Sequence, residues 1–465
     1  LIVIELWEIL NVVMGHTDSA SAPRTALGFW TLAVAFTTAM AFTTVPTPLW
    51  SLYAQRDGFS SFTVTIVFAV YAVAVALSLF LVGHLSDGHG RRRVLMPALA
   101  LEIVAAIVFV VWSSLPGLLL ARTLSGLGVG AVTATATAWL PELRGGGGRR
   151  GQIVATAANL GGLGLGGLIS GALAQWAGDA LIVPFLVFIG ALVLAWTVLL
   201  TVPETHPPQS PRPRFHPQRI SVPAASRGRF FAAAAGAGIT FAVFGLLTSL
   251  APSFLAGTLH QPSHVLAGAV AFTVFATAAI AQTLTASRTT RQLLAAALPG
   301  LLLGLGLLTI AVWLPSPSFG VFLAGDVVVG AGGGLMFKGA IATVTEISEP
   351  EHRAEALAGL FLAAYLGLAG PVIGLGAVTQ VASPRVSLLL FAGLLALGIL
   401  AAAPALLGHG AVHASSPSRT GSSHVPDTVE NSRARPDGPP DHARRFRRVG
   451  DRRRKLGVRL GSPRR

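Results

Sequence analysis

The 465 residues fall into twelve apolar runs, each about 20 residues long and closed by short breaks rich in glycine, proline or arginine. The runs are 27–46, 62–83, 94–112, 116–140, 152–175, 181–202, 230–256, 264–286, 292–313, 319–345, 356–379 and 385–407. Runs of this length that are apolar on every face do not suit a water-facing helix; lipid is their solvent. Only 11% of residues are charged, against about 25% in a soluble domain. The fold class that follows is an all-α, multi-pass membrane protein with twelve transmembrane helices.

Several functions are disfavoured. There is no cysteine, which removes disulfides, thiol catalysis and thiolate metal sites. The net charge of +14 is uneven, since residues 409–465 carry +9 of it. The basic balance therefore belongs mainly to a tail, and no nucleic-acid partner is expected. Gly162, Gly164 and Gly167 match a dinucleotide fingerprint, but no strand precedes them. No nucleophile–base set stands out, so an enzyme is not expected. His84 and His89 are loop residues, and no metal or cofactor is expected.

The polar stretch Pro203–Gly228 divides six runs from six and reads as a linker. The expected organisation is an extension over 1–25, a six-helix bundle over 26–202, a linker over 203–228, a second bundle over 229–408 and a disordered basic tail over 409–465. Leu1–Val13 has no basic n-region and does not read as a secretory signal; Met14 looks like a more ordinary beginning. One set of loops carries 14 arginines, including Arg91, Arg92, Arg93, Arg144 and Arg150, whereas the other carries Arg56 and Arg385. By the positive-inside rule the first set, and both termini, are cytoplasmic. A plasma-membrane protein acting as a monomer is expected.

The two halves repeat. A shift of 204 residues lays Pro48 on Pro252, Gly126 on Gly330, Gly128 on Gly332, Gly130 on Gly334, Glu142 on Glu346 and Gly166 on Gly370. Parallel repeats of this kind are a transporter plan, with the substrate between the halves near the bilayer midplane.

The loop after run two contains Gly83, Leu85, Ser86, Asp87, Gly90, Arg91 and Arg92. Run four contains Arg122, Gly126 and Gly128, and run six ends at Pro203-Glu204-Thr205. In these motifs the chain resembles the major facilitator superfamily over about residues 26–408, with drug/proton antiporters the nearest in flavour. The antiporter motif of span five is met in part. Gly162, Gly166, Gly167, Ser170 and Gly171 stand there, with Gly167 in place of the proline and Ser170 in place of a glycine. Gly370-Pro371-x-x-Gly374 keeps that form, but in the second half. The resemblance implies two six-helix bundles related by a pseudo-two-fold axis. It also implies a cytoplasmic gate of Gly83, Asp87, Gly90, Arg91, Arg92 and Glu142, in which Arg91 reaches Glu142 and the network latches the outward-open state.

Four formal charges fall inside runs: Glu102, Arg122, Asp326 and Lys338. A charge at the bilayer centre costs at least about 2.5 kcal/mol, so each is expected to face protein or a water-filled cavity. Arg122 and Asp326 are repeat mates, expected to pair across the axis; the alternative is that Arg122 only packs along the Gly126/Gly130 stripe. Lys338 either binds an anion, joins proton coupling or snorkels. Glu102 either carries a proton or is a structural carboxyl. Thr43, Thr44, Phe36, Phe42, Phe241 and Phe244 are expected in the cavity wall, with Asn159, Gln282, Tyr71 and Tyr365 as polar candidates. These residues suggest proton-coupled export of small hydrophobic molecules, powered by the proton gradient. An importer of sugars or organic acids on the same fold, and a non-transporting receptor or scaffold, are the alternatives.

Overall fold

Inside hydrocarbon a backbone N–H finds no water, so an apolar run satisfies its polar groups by coiling into a helix. The computed structural model describes residues 22–82, 86, 89–144, 149–205, 226–349 and 352–408, and among these there is no strand. In the first half α1 (Ala22–Thr44) is followed by a 3-10 turn (Thr47–Leu49) and the short α2 (Trp50–Asp57). Then come α3 (Ser61–Val82), α4 (Arg91–Val111), α5 (Leu115–Leu143), α6 (Arg149–Trp176) and α7 (Val183–Leu199). The second half runs through α8 (Arg227–Ser249), the short α9 (Ala251–Gly257), α10 (His264–Leu284), α11 (Thr290–Trp313), α12 (Phe319–Ile347), α13 (Arg353–Val378) and α14 (Pro384–Leu407).

Among the described residues, eleven helical stretches are long and apolar enough to cross a membrane. The twelfth, α7, has 17 residues, about 25 Å of helix, at the short end of what spans a bilayer. Run seven of the sequence continues to 256, whereas the structure ends α8 at Ser249 and starts α9 at Ala251. Pro252 sits in the first turn of α9, where its missing N–H is not needed. Its repeat mate Pro48 lies in the turn that opens into α2. The helices α10, α11, α12 and α14 start at Ser263, Thr289, Ser318 and Ser383, each of which caps a backbone N–H three residues on. Most of the expected extension and of the linker, and the tail, lie outside the described residues; α1 begins at Ala22, inside the stretch expected as extension.

The 204-residue shift has a three-dimensional counterpart. A Cβ on Gly126 would lie 2.5 Å from the Tyr71 carbonyl and 2.6 Å from Ala74 Cβ, so α5 rests backbone-to-backbone on α3. A Cβ on Gly330 would lie 2.6 Å from the Val274 carbonyl, and one on Gly334 2.6 Å from the Ala278 carbonyl, so α12 rests on α10 in the same manner. Small residues allow this approach where water supplies no hydrophobic drive between helices.

Buried apolar side chains form one core in each half. A third, smaller cluster joins the halves: Phe68, Ala69 and Ala72 of α3 with Leu368, Ala369 and Val372 of α13. On the other flank Gly167 of α6 faces Gly268 and Ala271 of α10, and Gly171 faces His264. All of these residues lie in the parts of their helices away from the arginine-rich loops. The halves therefore meet on that side. Outward, α14 exposes Leu389, Leu390, Leu394, Leu397 and Leu400, a face suited to acyl chains rather than water.

Candidate functional site

Between the halves lies a cavity of about 840 Å³, its open mouth included. From α1 and the turn after it come Met40, Thr43, Thr44 and Thr47; from α3, Phe68 and Tyr71; from α8, Phe241, Phe244 and Thr248. The remaining aromatic wall is Phe275 of α10, Phe337 of α12, and Phe361 and Tyr365 of α13. The rings touch one another: Phe241 lies 5.1 Å from Phe337 and 5.3 Å from Tyr365, and Phe244 lies 5.3 Å from Phe275 between centroids. Asn159 and Gln282 border the cavity toward the basic side.

Thr43, Thr44, Phe241, Phe244, Asn159 and Tyr365 all border this cavity, as do Tyr71 and Gln282. Phe36 and Phe42 do not. Both are buried in the first half, where Phe42 meets Phe109 and Phe188. The sequence reading passed over Phe68, Thr133, Thr248, Phe275, Phe337 and Phe361. The repeat could have supplied three of them, since a shift of 204 carries Thr44 to Thr248, Tyr71 to Phe275 and Thr133 to Phe337.

Among the described residues, Arg122 of α5 is the one charged residue in the cavity lining. Its Nη1 donates to the Thr43 carbonyl at 3.0 Å, and its guanidinium carbon lies 4.1 Å from the Tyr71 ring centre. The Phe68 and Trp50 rings lie at 5.6 and 5.8 Å. Three aromatic faces thus stand where a counter-ion was expected, each attracting a cation through its quadrupole.

Asp326 is not that counter-ion. It is fully buried in the second half, and neither carboxyl oxygen has a hydrogen-bond partner among the described residues. The two repeat mates hold like positions in their halves, but each half keeps its own. Glu102 of α4 is likewise buried; it accepts a 3.1 Å bond from Ser125, and its second oxygen abuts Gly128. Lys338 is not among the described lining residues, and it donates to the Gln282 carbonyl at 2.6 Å. That carbonyl belongs to the last turn of α10, where a cation suits the negative end of the helix dipole.

On the basic face Arg91 binds Glu142, with Nη2 to Oε1 at 2.6 Å and Nε to Oε2 at 3.3 Å, and reaches Ser86 at 2.6 Å. Glu204 accepts from the Arg91 and Arg92 backbone N–H groups at 3.0 and 2.9 Å, and Thr205 donates to Glu142 at 2.6 Å. Gly90 starts α4 at φ 95°, a conformation that side chains disfavour. These contacts all lie in the first half, and they are formed while the halves meet on the opposite side. The Arg91–Glu142 bridge therefore braces α4 against α5, Glu204 and Thr205 add the segment that follows α7, and the bridge does not itself tie one half to the other. Gly83 and Asp87 lie outside the described residues. In the second half Glu346, mate of Glu142, is held by Thr290 at 2.5 Å and Arg229 at 3.8 Å, although the arginine motif is gone.

Residues 31–313 match the family model described as Major Facilitator Superfamily. No curated protein matches the chain in sequence. Solved structures that share its fold include three transporters. A variant of the nucleoside transporter NupG has 12% identity and a TM-score of 0.61, over 81% of this chain and 99% of that one. A variant of the peptide transporter POT, in complex with alafosfalin, has 13% identity and a TM-score of 0.65, over 82% and 93%. A bacterial homolog of the human lysosomal transporter Spinster, inward-facing and unoccupied, has 15% identity and a TM-score of 0.56, over 83% and 95%.

Proposed function

The chain belongs to the Major Facilitator Superfamily of membrane transporters, and on that premise we propose that it exports small, largely apolar molecules by proton-coupled alternating access. The observation that carries the cargo is the wall of Phe68, Tyr71, Phe241, Phe244, Phe275, Phe337, Phe361 and Tyr365 around one space between the halves. Aromatic faces favour flat or apolar bodies through area burial and ring contacts. A sugar, which needs many side-chain hydrogen bonds, finds few here.

Alternating access is supported by where the halves touch. They close on the side away from the basic loops, along α3/α13 and α6/α10. With the basic loops placed in the cytoplasm of a plasma-membrane protein, this is the inward-facing state. Rocking the halves would exchange that seam for one on the basic side. For coupling, the candidates are Asp326, buried with no hydrogen-bond partner among the described residues, and Glu102, buried near Arg122, since ionisable groups inside a membrane are by default functional.

The test is flux in vesicles containing the purified full chain and a pH-sensitive dye. A naphthalene-based cargo is expected to release a proton gradient, whereas glucose leaves it intact. Dissipation by glucose alone would contradict the reading.

A further inference from the structure

Arg122 stands out among the lining residues because most of its bonding capacity is unspent. A guanidinium has five N–H donors in a rigid fork. Among the described residues its hydrogen-bond acceptor is the Thr43 carbonyl, and Nε is buried with no partner. The group is 98% buried, since only 2% of its surface is exposed, yet it borders the cavity. Tyr71, Phe68 and Trp50 surround it with ring faces, which hold a cation but satisfy no N–H. Among the described residues no Asp or Glu lines the cavity beside it. Glu102 on α4, bonded to Ser125, acts on Arg122 through space but makes no direct ion-pair contact with it among the described residues, so the guanidinium's other N–H donors stay open.

We propose that the cavity selects amphipathic organic anions, with an acid group on Arg122 and an aromatic or apolar body against the phenyl rings. This deepens the transport reading above and rests on it. A carboxylate can accept two parallel N–H bonds from a guanidinium, the geometry that distinguishes arginine from a point charge. The acid would meet Arg122 between α1, α3 and α5, while the rings of α8, α10, α12 and α13 cover its apolar end. A cationic cargo would bring a second positive charge beside Arg122 in a low-dielectric space. There the repulsion is several times stronger than in water.

The test compares three probes with one ring system: naphthoate, naphthamide and naphthylmethylammonium. Affinity for the full chain in detergent is measured by calorimetry, and exchange is measured in vesicles. Naphthoate is expected to bind at least roughly tenfold tighter than either of the others, the size of one hydrogen bond to a charged group. Arg122→Gln is expected to bring the acid-to-amide ratio to near one, and Arg122→Lys to restore part of it. The proposal is overturned if the ammonium binds as tightly as the acid, or if Arg122→Gln leaves the ratio unchanged. If the ammonium is bound and exchanged while the acid is not, the proposal fails and the transport reading stands. If wild-type protein binds none of the three, both fail.

Discussion

The Arg122 guanidinium sits 4.1 Å from the centre of the Tyr71 ring, so the cavity's charge is positioned by an aromatic face on the neighbouring helix. A cation–π contact is worth about 0.5–2 kcal/mol, more when desolvated. Tyr71→Leu is therefore expected to weaken naphthoate binding by roughly two- to thirtyfold. Tyr71→Phe, which keeps a ring, should weaken it less. Calorimetry on the two variants checks the order; equal losses would mean that the hydroxyl, not the ring, matters.

Asp326 provides a separate test of coupling. Its carboxyl is buried without hydrogen-bond partners, so Asp326→Asn is close in shape to the protonated acid and should fold. Cargo exchange at equal pH is expected to persist in this variant, while accumulation driven by a pH gradient is lost. Gradient-driven accumulation at the wild-type level would remove Asp326 from the proton path.

The glycine comb predicts a contrast in stability. Gly126→Ala places a methyl group 2.5 Å from the Tyr71 carbonyl, forcing α5 off α3 at a cost of about 1–3 kcal/mol. Gly190→Ala on α7 meets nothing within 4 Å, and should be neutral or gain up to about 1 kcal/mol from helix propensity. Thermal melts in one detergent compare the two. A lower melting point for Gly190→Ala than for Gly126→Ala would contradict the close α3/α5 packing.

The basic-face brace is also testable. Arg91 is buried, whereas Glu142 keeps a quarter of its side chain exposed. Removing one partner of a buried pair costs about 3–5 kcal/mol because the other charge is stranded. Solvent reaching Glu142 reduces that figure when Arg91 is the one removed, so Glu142→Gln, which strands the buried Arg91, is expected to cost more stability than Arg91→Gln. A double-mutant cycle read by thermal melting should give coupling of at least about 0.5 kcal/mol; additive losses would dissolve the bridge.

The fold was legible because lipid imposes a simple rule on the backbone, and because the repeat is gapless in sequence and in packing. Gly126 and Gly330 show this, each seated on an equivalent neighbouring helix. Thr43, Phe241 and Tyr365 were legible as cavity candidates because they fall in spans that line the cavity in the family the chain resembles, and they border the cavity. The pairing of Arg122 with Asp326 was not, because a repeat fixes the depth of a residue and not its rotation toward the axis. Tyr71, Phe68 and Trp50 compete for the guanidinium, and no spacing rule announces an aromatic substitute for a carboxylate. Lys338 kept three readings open for a similar reason: the Gln282 carbonyl that it caps exists only once α10 has ended.

The absence of cysteine makes the rocking of the two halves directly measurable. A Cβ on Gly167 would lie 3.1 Å from that of Ala271 across the α6/α10 seam, a little closer than the about 3.5–4.5 Å that a disulfide prefers. Naphthoate flux is measured in vesicles containing the Gly167→Cys/Ala271→Cys protein, first reduced, then oxidised, then reduced again. Alternating access predicts that flux stops when the bridge closes and returns when it is opened. Undiminished flux through fully bridged protein would contradict it.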